Sequence, residues 1–286
     1  MYTVYALVTV YNPQKSVLNN IQNLAKQTKT VFILDNSNSV SIELQGLDNT
    51  VYVSNKKNLG LSCAFNHILK EKDFSDEDYI IFFDQDSLIT ENYISKLVKE
   101  FNLNRVKYNL ACIAPIIFDC NTKENSMSRQ VTKNQNTKLV ILPRLITSSL
   151  LTQYKYLRII NFWDEDIFLD WADFDLTYRF QAAGYNCGIA SNIVLNHHLG
   201  DRNKKFLGKN FPYYSPIREY YQVRDALRCA FKRTTPAKEK LGMFYVATVR
   251  LVIHLLILDR KCERIKYYIK AYRDFLRHKV GEYGNS

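Results

Sequence analysis

The sequence predicts an α/β fold: a mostly parallel central sheet with flanking helices, followed by a C-terminal helical region. Short runs of β-branched and aromatic residues alternate with segments whose apolar residues recur at helical spacing. Strand-like runs close on carboxylates, Asp35 and Asp84, with Asp86 just beyond, which is where open parallel sheets gather ligands. The apolar fraction, 47% of 286 residues, is that of a globular chain, long enough for one large domain or one and a half ordinary ones.

Each element follows from local pattern. Tyr2–Val10 reads as a strand and ends at Asn12-Pro13, a turn signal. Val17, Leu18, Ile21, Leu24 and Ala25 then repeat as one face of a helix. Thr30–Asp35 is the second strand and Val51–Ser54 a short third. A helix enters through Gly60, and Tyr79–Phe83 is the fourth strand. Thr90 is the expected N-cap of a helix carrying Tyr93, Ile94, Leu97, Val98 and Phe101 on one stripe. Further strand is expected in the ACIAPIIFD, LVILPRLITSSLL and CGIASNIVLNHHLGD stretches, with residues 119–138 polar and loop-like. Between the last two strand stretches lies a helix from about Asp173 to Ala183, with Gly184 as its C′ residue.

Composition narrows the function. Arg202 onward holds 20 Lys+Arg against 7 Asp+Glu, while residues 1–201 hold 19 against 21, so a near-neutral body carries a basic tail. Such a tail expects an anionic surface, and with no nucleic-acid module present, lipid head groups are preferred to nucleic acid. Met243–Leu258 is the most apolar run, but its 16 residues include Arg250 and His254. A span needs about 20 apolar residues, so the run reads as an interfacial or capping helix. The N-terminus has no basic, apolar leader pattern, which predicts a cytoplasmic chain. Six cysteines without C-x-x-C spacing predict buried thiols and neither a zinc site nor a disulfide framework.

The chemistry-bearing stretch is YIIFFDQDS, a buried strand ending on Asp84 and Asp86. Two carboxylates one residue apart can face one divalent cation, which takes hard oxygen ligands; the plainer reading is a pair of turn caps. Neither G-x-G-x-x-G nor G-x-x-x-x-G-K occurs, which disfavours a dinucleotide oxidoreductase or a P-loop ATPase. A diphosphate ligand without those loops needs a metal or cationic side chains.

Five ordered motifs carry a family resemblance. TVYN (Thr9–Asn12), LDNSNS (Leu34–Ser39), NKKNLGLSCAFNHIL (Asn55–Leu69) and FDQDS (Phe83–Ser87) resemble the family 2 glycosyltransferases of GT-A fold. DWADFDLTYRFQAAGY (Asp170–Tyr185) resembles that family's E-D-x-D-L-x-x-R block, with Ala172 where relatives carry an acid. LNHHLGD (Leu195–Asp201) and SPIREYYQVRDALR (Ser215–Arg228) resemble its rhamnosyltransferase branch. The resemblance covers about residues 3–230 and implies a catalytic domain over 1–230, with 231–286 a basic amphipathic region.

It also implies roles. Thr9, Tyr11, Asn12, Asp35, Asn58 and Gly60 would hold the nucleotide sugar, with Arg218 and Arg224 on phosphate. Asp84 and Asp86, with His197, would hold Mg²⁺ or Mn²⁺; the adjacent His198 leaves the histidine assignment to the motif match. Asp173 would be the general base, with Asp170 and Asp175 as rivals, Asp175 standing four residues before Arg179 where the two can pair. The implied activity is inverting transfer of a sugar, rhamnose from dTDP-rhamnose, to a lipid-linked glycan on the cytoplasmic membrane face. A UDP-hexose transferase of the same fold and a non-catalytic membrane adaptor are the alternatives.

Overall fold

The computed structural model describes residues 2–119, 124–125, 139–197, 203–206, 209–212 and 214–284; at 119, 124–125, 197, 203–206 and 209–212 only the backbone is described. In chain order, β1 (Val4–Val10), α1 (Ser16–Ala25), β2 (Thr30–Asp35), β3 (Thr50–Ser54), α2 (Gly60–Glu71), β4 (Tyr79–Asp84) and α3 (Tyr93–Asn104) form the first half. The second half holds β5 (Leu110–Asp119), β6 (Glu124–Asn125), β7 (Leu139–Ile141), β8 (Leu150–Gln153), α4 (Tyr154–Ile159), α5 (Ala172–Ala182) and β9 (Asn186–His197). Then come a small hairpin of β10 (Asn203–Phe206) and β11 (Lys209–Pro212), and α6 (Pro216–Phe231), α7 (Ala237–Ala247), α8 (Val249–Ile257) and α9 (Lys261–Leu276).

The sheet order is β3-β2-β1-β4-β8-β5-β9-β7, with β6 pairing onto β5. The first four strands of that order are parallel; β2, β1 and β4 are near-continuous apolar runs covered on both faces, and β3 is the half-exposed edge. The other half is mixed: β8 lies antiparallel between β4 and β5, while β9 is parallel to β5. The LVILPRLITSSLL stretch divides into two strands, β7 and β8, because Pro143 cannot donate to a ladder. Ile21 and Leu24 of α1 and Leu97 and Phe101 of α3 cover one face over Ala6 and Val8; Phe65 and Ile68 of α2 and Phe180 of α5 cover the other over Leu7 and Phe82.

Two local expectations change. Thr90 is not the cap of α3: the cap position is Asn92, in the left-handed region at φ 57°, which a short amide side chain tolerates. The cysteines are not all buried; Cys262 is exposed and Cys63 partly so, whereas Cys112, Cys187 and Cys229 lie inside. The residues between 119 and 139, apart from 124–125, lie outside the described residues.

The C-terminal helices are fastened to α6 by buried ion pairs. Glu219 on α6 accepts from Arg264 on α9, with both side chains fully buried, and His254 Nδ1 on α8 lies 2.7 Å from the same carboxylate. The Tyr220 hydroxyl donates to Asp274 at 2.9 Å. Met243 of α7 joins the main core, and Ala247, Tyr268 and Ala271 pack with Tyr220 and Val223. Among the described residues no single helix is long and apolar enough to cross a membrane; α7 and α8 together reach that length and composition but bend by 40° between them.

One close approach ties the two halves together. Gly60 sits at φ +75° with the carbonyl of Phe168 pressed against it, so that a Cβ there would collide with that oxygen. Leu61 N–H donates to the same carbonyl at 2.7 Å. Gly184 has a similar φ of +88°, but open space surrounds it. Gly60→Ala is therefore expected to cost clearly more than Gly184→Ala, whose loss should be the left-handed penalty alone, about 1–2 kcal/mol. Denaturant midpoints of the two variants check this; equal losses would show that the Phe168 contact yields freely.

Candidate active site

Parallel pairing places the acids. Val10 stands opposite Asp35 and Thr9 opposite Asp84, so the carboxyl end of β1 lies between two aspartates, one on each neighbouring strand. A cleft of about 590 Å³ opens beside Asp84 and is lined by Asp84, Asp86, Asp170, Asp173, Arg218 and Arg250, with Trp171, Gln222 and Val246 on the same wall. The sequence-derived set is thus divided. Asp84, Asp86, Asp173 and Arg218 share the cleft with Asp170, whereas Thr9, Tyr11, Asn12, Asp35, Asn58 and Gly60 lie along the adjoining strand ends and loops.

The D-Q-D loop is held by its middle residue. Gln85 Oε1 accepts from Tyr11 N–H at 2.9 Å, and its carbonyl accepts from Asn20 Nδ2 at 3.0 Å, so the loop is tied to the end of β1 and to α1. Asp84 accepts from the buried Ser148 hydroxyl. Leu88 N–H donates to Asn196 O at 3.2 Å, which runs the end of β9 alongside this loop. His197 follows at the last position of β9; its side chain, and His198, lie outside the described residues.

The carboxylate of Asp35, expected among the residues that hold the nucleotide sugar, is engaged by the protein itself. It is fully buried, and its oxygens accept from Ser37 N–H (2.8 Å), the Ser41 hydroxyl (2.7 Å) and the Tyr52 hydroxyl (2.6 Å). Burial pushes the carboxyl up, but these donors outweigh it and hold the group below its ordinary range. Asp35 thereby shapes the loop after β2, and Asn12 N–H joins that loop through Ser37 Oγ at 2.7 Å. Asn58 accepts from Gly60 N–H at 2.9 Å, and Asn36 donates to Gly60 O at 3.0 Å, so the two loops are knitted together. The group that Gly60 admits closely is Phe168.

Arg224 does not enter the cleft. It is fully buried, donating to Asp225 at 2.9 Å, the Tyr220 hydroxyl at 3.2 Å and Gly281 O at 2.8 Å. Its neighbour Asp225 accepts from Phe168 N–H at 3.0 Å, and an uncompensated carboxylate there would be costly. Arg218 instead reaches the cleft and pairs with Asp170 at 3.2 Å.

Helix α5 carries two acids with opposite surroundings. Asp175 is buried but compensated, by Arg179 at 2.8 Å and Lys232 at 2.6 Å. Asp173, in the first turn, accepts from Phe174 N–H at 2.9 Å and has no cationic partner among the described residues. Burial is the main cause that pushes its carboxyl up to about 7, with the charges of Asp84 and Asp170 adding to it. Trp171 precedes the helix in the left-handed region at φ 76°, a strained setting for a large side chain, and its Nε1 donates to Gln222 O at 3.0 Å. Gln85, Ser148, Gln222 and Arg250 have no sequence signature of their own. Arg250 and His254, spaced four apart as the only polar side chains of an apolar helix, are the one periodic clue to an inward face.

A Rossmann-like sheet with flanking helices and an acid-lined cleft at the carboxyl edge of its parallel strands is the arrangement of the GT-A fold. Residues 5–163 match the family described as "Glycosyl transferase family 2", and the chain belongs to that family. It is 26% identical to the dTDP-rhamnosyl transferase RfbF of Shigella flexneri over 97% of each chain. Among solved structures it resembles GalNAc-T7, crystallised with UDP, GalNAc and Mn²⁺, at a TM-score of 0.60 and 13% identity, covering 97% of this chain and 56% of that one. It also resembles Staphylococcus aureus TarS 1–349 in complex with UDP-GlcNAc, at a TM-score of 0.55 and 15% identity, covering 96% and 81%. At these identities the structural likenesses establish the fold.

The two acids of α5 should respond oppositely to neutralisation. Asp175→Asn leaves Lys232 and Arg179 short of a buried partner and is expected to destabilise by about 3 kcal/mol or more. Asp173 has a raised folded-state pKa, so its ionised form opposes folding above pH 7, and Asp173→Asn should leave the melting temperature at pH 8 unchanged or higher. Thermal melts of both variants at pH 8 are the check; a marked loss for Asp173→Asn would make it a structural residue.

Proposed function

We propose that the protein transfers a sugar, with inversion, from a nucleoside-diphosphate donor to a hydroxyl of a lipid-linked glycan, in the building of a bacterial surface polysaccharide. The observation that carries this reading is Asp173: an acid without a cationic partner among the described residues, sharing one cleft with Asp84 and Asp86, its carboxyl pushed up to about 7. A base for a sugar hydroxyl needs that poise, ionised at working pH yet ready to accept a proton. Similarity to a dTDP-rhamnosyl transferase along nearly the whole chain supports dTDP-rhamnose as the donor.

Asp84 and Asp86 offer hard oxygen ligands in one cleft, which fits Mg²⁺ or Mn²⁺, with His197 next to the same loop along the backbone. Among the described residues no group of three His, Cys, Asp or Glu side chains surrounds one point. A bound cation would neutralise charge on the departing diphosphate. The work of the chain is then positional. Gln85 and Ser148 fix the two carboxylates, the loops after β2 and β3 border the nucleotide, and Asp173 takes the proton of the attacking hydroxyl. Arg218 stands ready for phosphate when it leaves Asp170.

We place the enzyme at the cytoplasmic face of the membrane as a peripheral protein. The basic region from residue 202 and the outward apolar side chains of α7 and α8 support this: Leu256 is 77% exposed and Val252 59%, with Leu241 and Val249 beside them. Apolar residues flanked by Lys and Arg insert at an anionic interface.

A panel of dTDP- and UDP-sugars, read by release of the nucleoside diphosphate with Mg²⁺, with Mn²⁺ and after EDTA, tests the reaction class and donor. Turnover with dTDP-rhamnose that EDTA abolishes is expected; turnover with a UDP-hexose alone would move the assignment, and none with any donor would favour a non-catalytic role. Asp173→Asn should lower transfer by about two to four orders of magnitude while donor affinity survives. Wild-type rates should fall as pH drops below about 7, because a protonated Asp173 cannot act as base. A flat profile from pH 6 to 8 together with a fully active Asp173→Asn would remove it from the mechanism. For the membrane, replacing Val252 and Leu256 together by Gln should weaken partition onto anionic liposomes at least tenfold, from about 1.5–3 kcal/mol per buried aliphatic side chain. Unchanged partition would leave α8 as a cap only.

A further inference from the structure

The C-terminal helices do more than cover α6. Val246 and Arg250 line the cleft that holds Asp84, Asp86 and Asp173, although they belong to α7 and α8. Arg250 is half-buried with its guanidinium close enough to the Tyr268 hydroxyl to interact with it, while its Nε and Nη2 are enclosed without a well-formed hydrogen bond among the described residues. Gln222 lines the same wall; it is 6% exposed, and its Oε1 is likewise buried without a partner. A buried guanidinium edge and a buried amide oxygen, both lacking partners, cost free energy unless a ligand completes them. A planar fork of N–H groups matches a phosphoryl group, and an amide oxygen takes a hydroxyl.

We infer that Arg250 and Gln222 form an acceptor subsite, in which Arg250 binds a phosphoryl group of the acceptor and Gln222 a hydroxyl near it. This rests on the lipid-linked acceptor proposed above and deepens it by naming the anion and the residue that reads it. Three features favour the acceptor over the donor as the source of that anion. The donor's diphosphate already has Asp84 and Asp86, through a cation, and Arg218 to meet it. Arg250 is carried by an element far along the chain from the β1–β4 loops that border the nucleotide. The helix that carries it also exposes Val249, Val252 and Leu256, so one amphipathic helix offers a cation toward the cleft and an apolar strip outward. An acceptor made of an apolar chain, a diphosphate and a sugar matches that order of surfaces.

The test is calorimetric titration of farnesyl diphosphate, inorganic pyrophosphate and farnesol into the full-length protein saturated with dTDP and Mg²⁺, so that the donor side is occupied. The wild type is expected to bind farnesyl diphosphate, pyrophosphate more weakly, and farnesol least. Arg250→Gln should weaken farnesyl diphosphate about 10–100-fold, the usual worth of a charge-assisted contact, with Arg250→Lys recovering part of the loss. Gln222→Leu, which touches the sugar rather than the diphosphate, should leave that affinity within about twofold. The dTDP affinity of each variant serves as fold control and reports on the donor reading separately. Equal farnesyl diphosphate affinity in wild type and Arg250→Gln, or none in the wild type, would overturn the subsite. A loss of dTDP affinity in Arg250→Gln, with farnesyl diphosphate unaffected, would overturn it in favour of a donor contact. A wild type that takes farnesyl diphosphate but neither dTDP nor UDP would leave the subsite standing and sink the donor reading.

Discussion

The contact between Phe168 and Gly60 is the constraint on which the rest of the site depends. The acids come from distant parts of the chain, Asp84 and Asp86 beyond β4, Asp170 and Asp173 at the start of α5, and they meet only if the segment before α5 is laid across the carboxyl end of the sheet. Two hydrogen bonds and a ring stack hold it there. Phe168 O accepts from Leu61 N–H, Phe168 N–H donates to Asp225, and the Phe168 ring stacks on Tyr221 at 4.6 Å. Five residues earlier, the Asn66 side chain acts as a substitute for a strand, donating to Trp163 O at 2.9 Å and accepting from Trp163 N–H at 3.0 Å. The glycine at 60, the buried Asp225 and the buried Arg224 that neutralises it are consequences of one requirement: bringing backbone from the second half into contact with the N-terminus of α2.

The same packing sorts the carboxylates. Asp175 and Asp173 are two residues apart on one helix, yet the first turns into the core toward Arg179 and Lys232 while the second faces the cleft. Compensation makes the first a structural charge. The second lies among like charges, with burial pressing its carboxyl toward neutrality, the arrangement that makes an acid a usable base near neutral pH. The excess of acids over cations around the cleft is unfavourable for the isolated chain and becomes favourable only when a cation enters.

Strands β1, β2 and β4 were legible because each is covered on both faces, so that burial writes itself as a continuous apolar run; the edge strand β3 was legible from its β-branched and aromatic residues. The helices α1 and α3 were legible from their stripes, α5 from the Gly184 that ends it, and the acids of the first half from their position at strand ends. What was not legible depends on tertiary neighbours. Arg224 and Arg218 sit six apart on one helix with equal claims on phosphate by sequence, and only packing shows that Arg224 faces Asp225 and Arg218 the cleft. The antiparallel insertion of β8 leaves no trace in its apolar pattern, since strand direction is not a local property. Thr90 looks like a cap, but the chain turns two residues later, at Asn92. Arg250 reads as an interruption in an apolar run because its reason for being there comes from Asp170, Gln222 and the rest of a cleft built elsewhere in the chain.

Helix α8 joins these themes. Its inward face carries His254 within hydrogen-bond reach of the buried Glu219, which also takes Arg264 of α9, so the helix is held by a polar contact at a position where its own apolar residues gain little burial. That anchoring differs in kind from the core packing of α6. An apolar helix held through its polar side is free to leave its apolar side uncovered, and the pin fixes the rotation at which Arg250 meets the cleft wall. On the proposed reading, the polar anchor is what allows one short helix to face a lipid interface and a sugar-transfer site at once. Replacing it with apolar packing would bury the surface the acceptor needs.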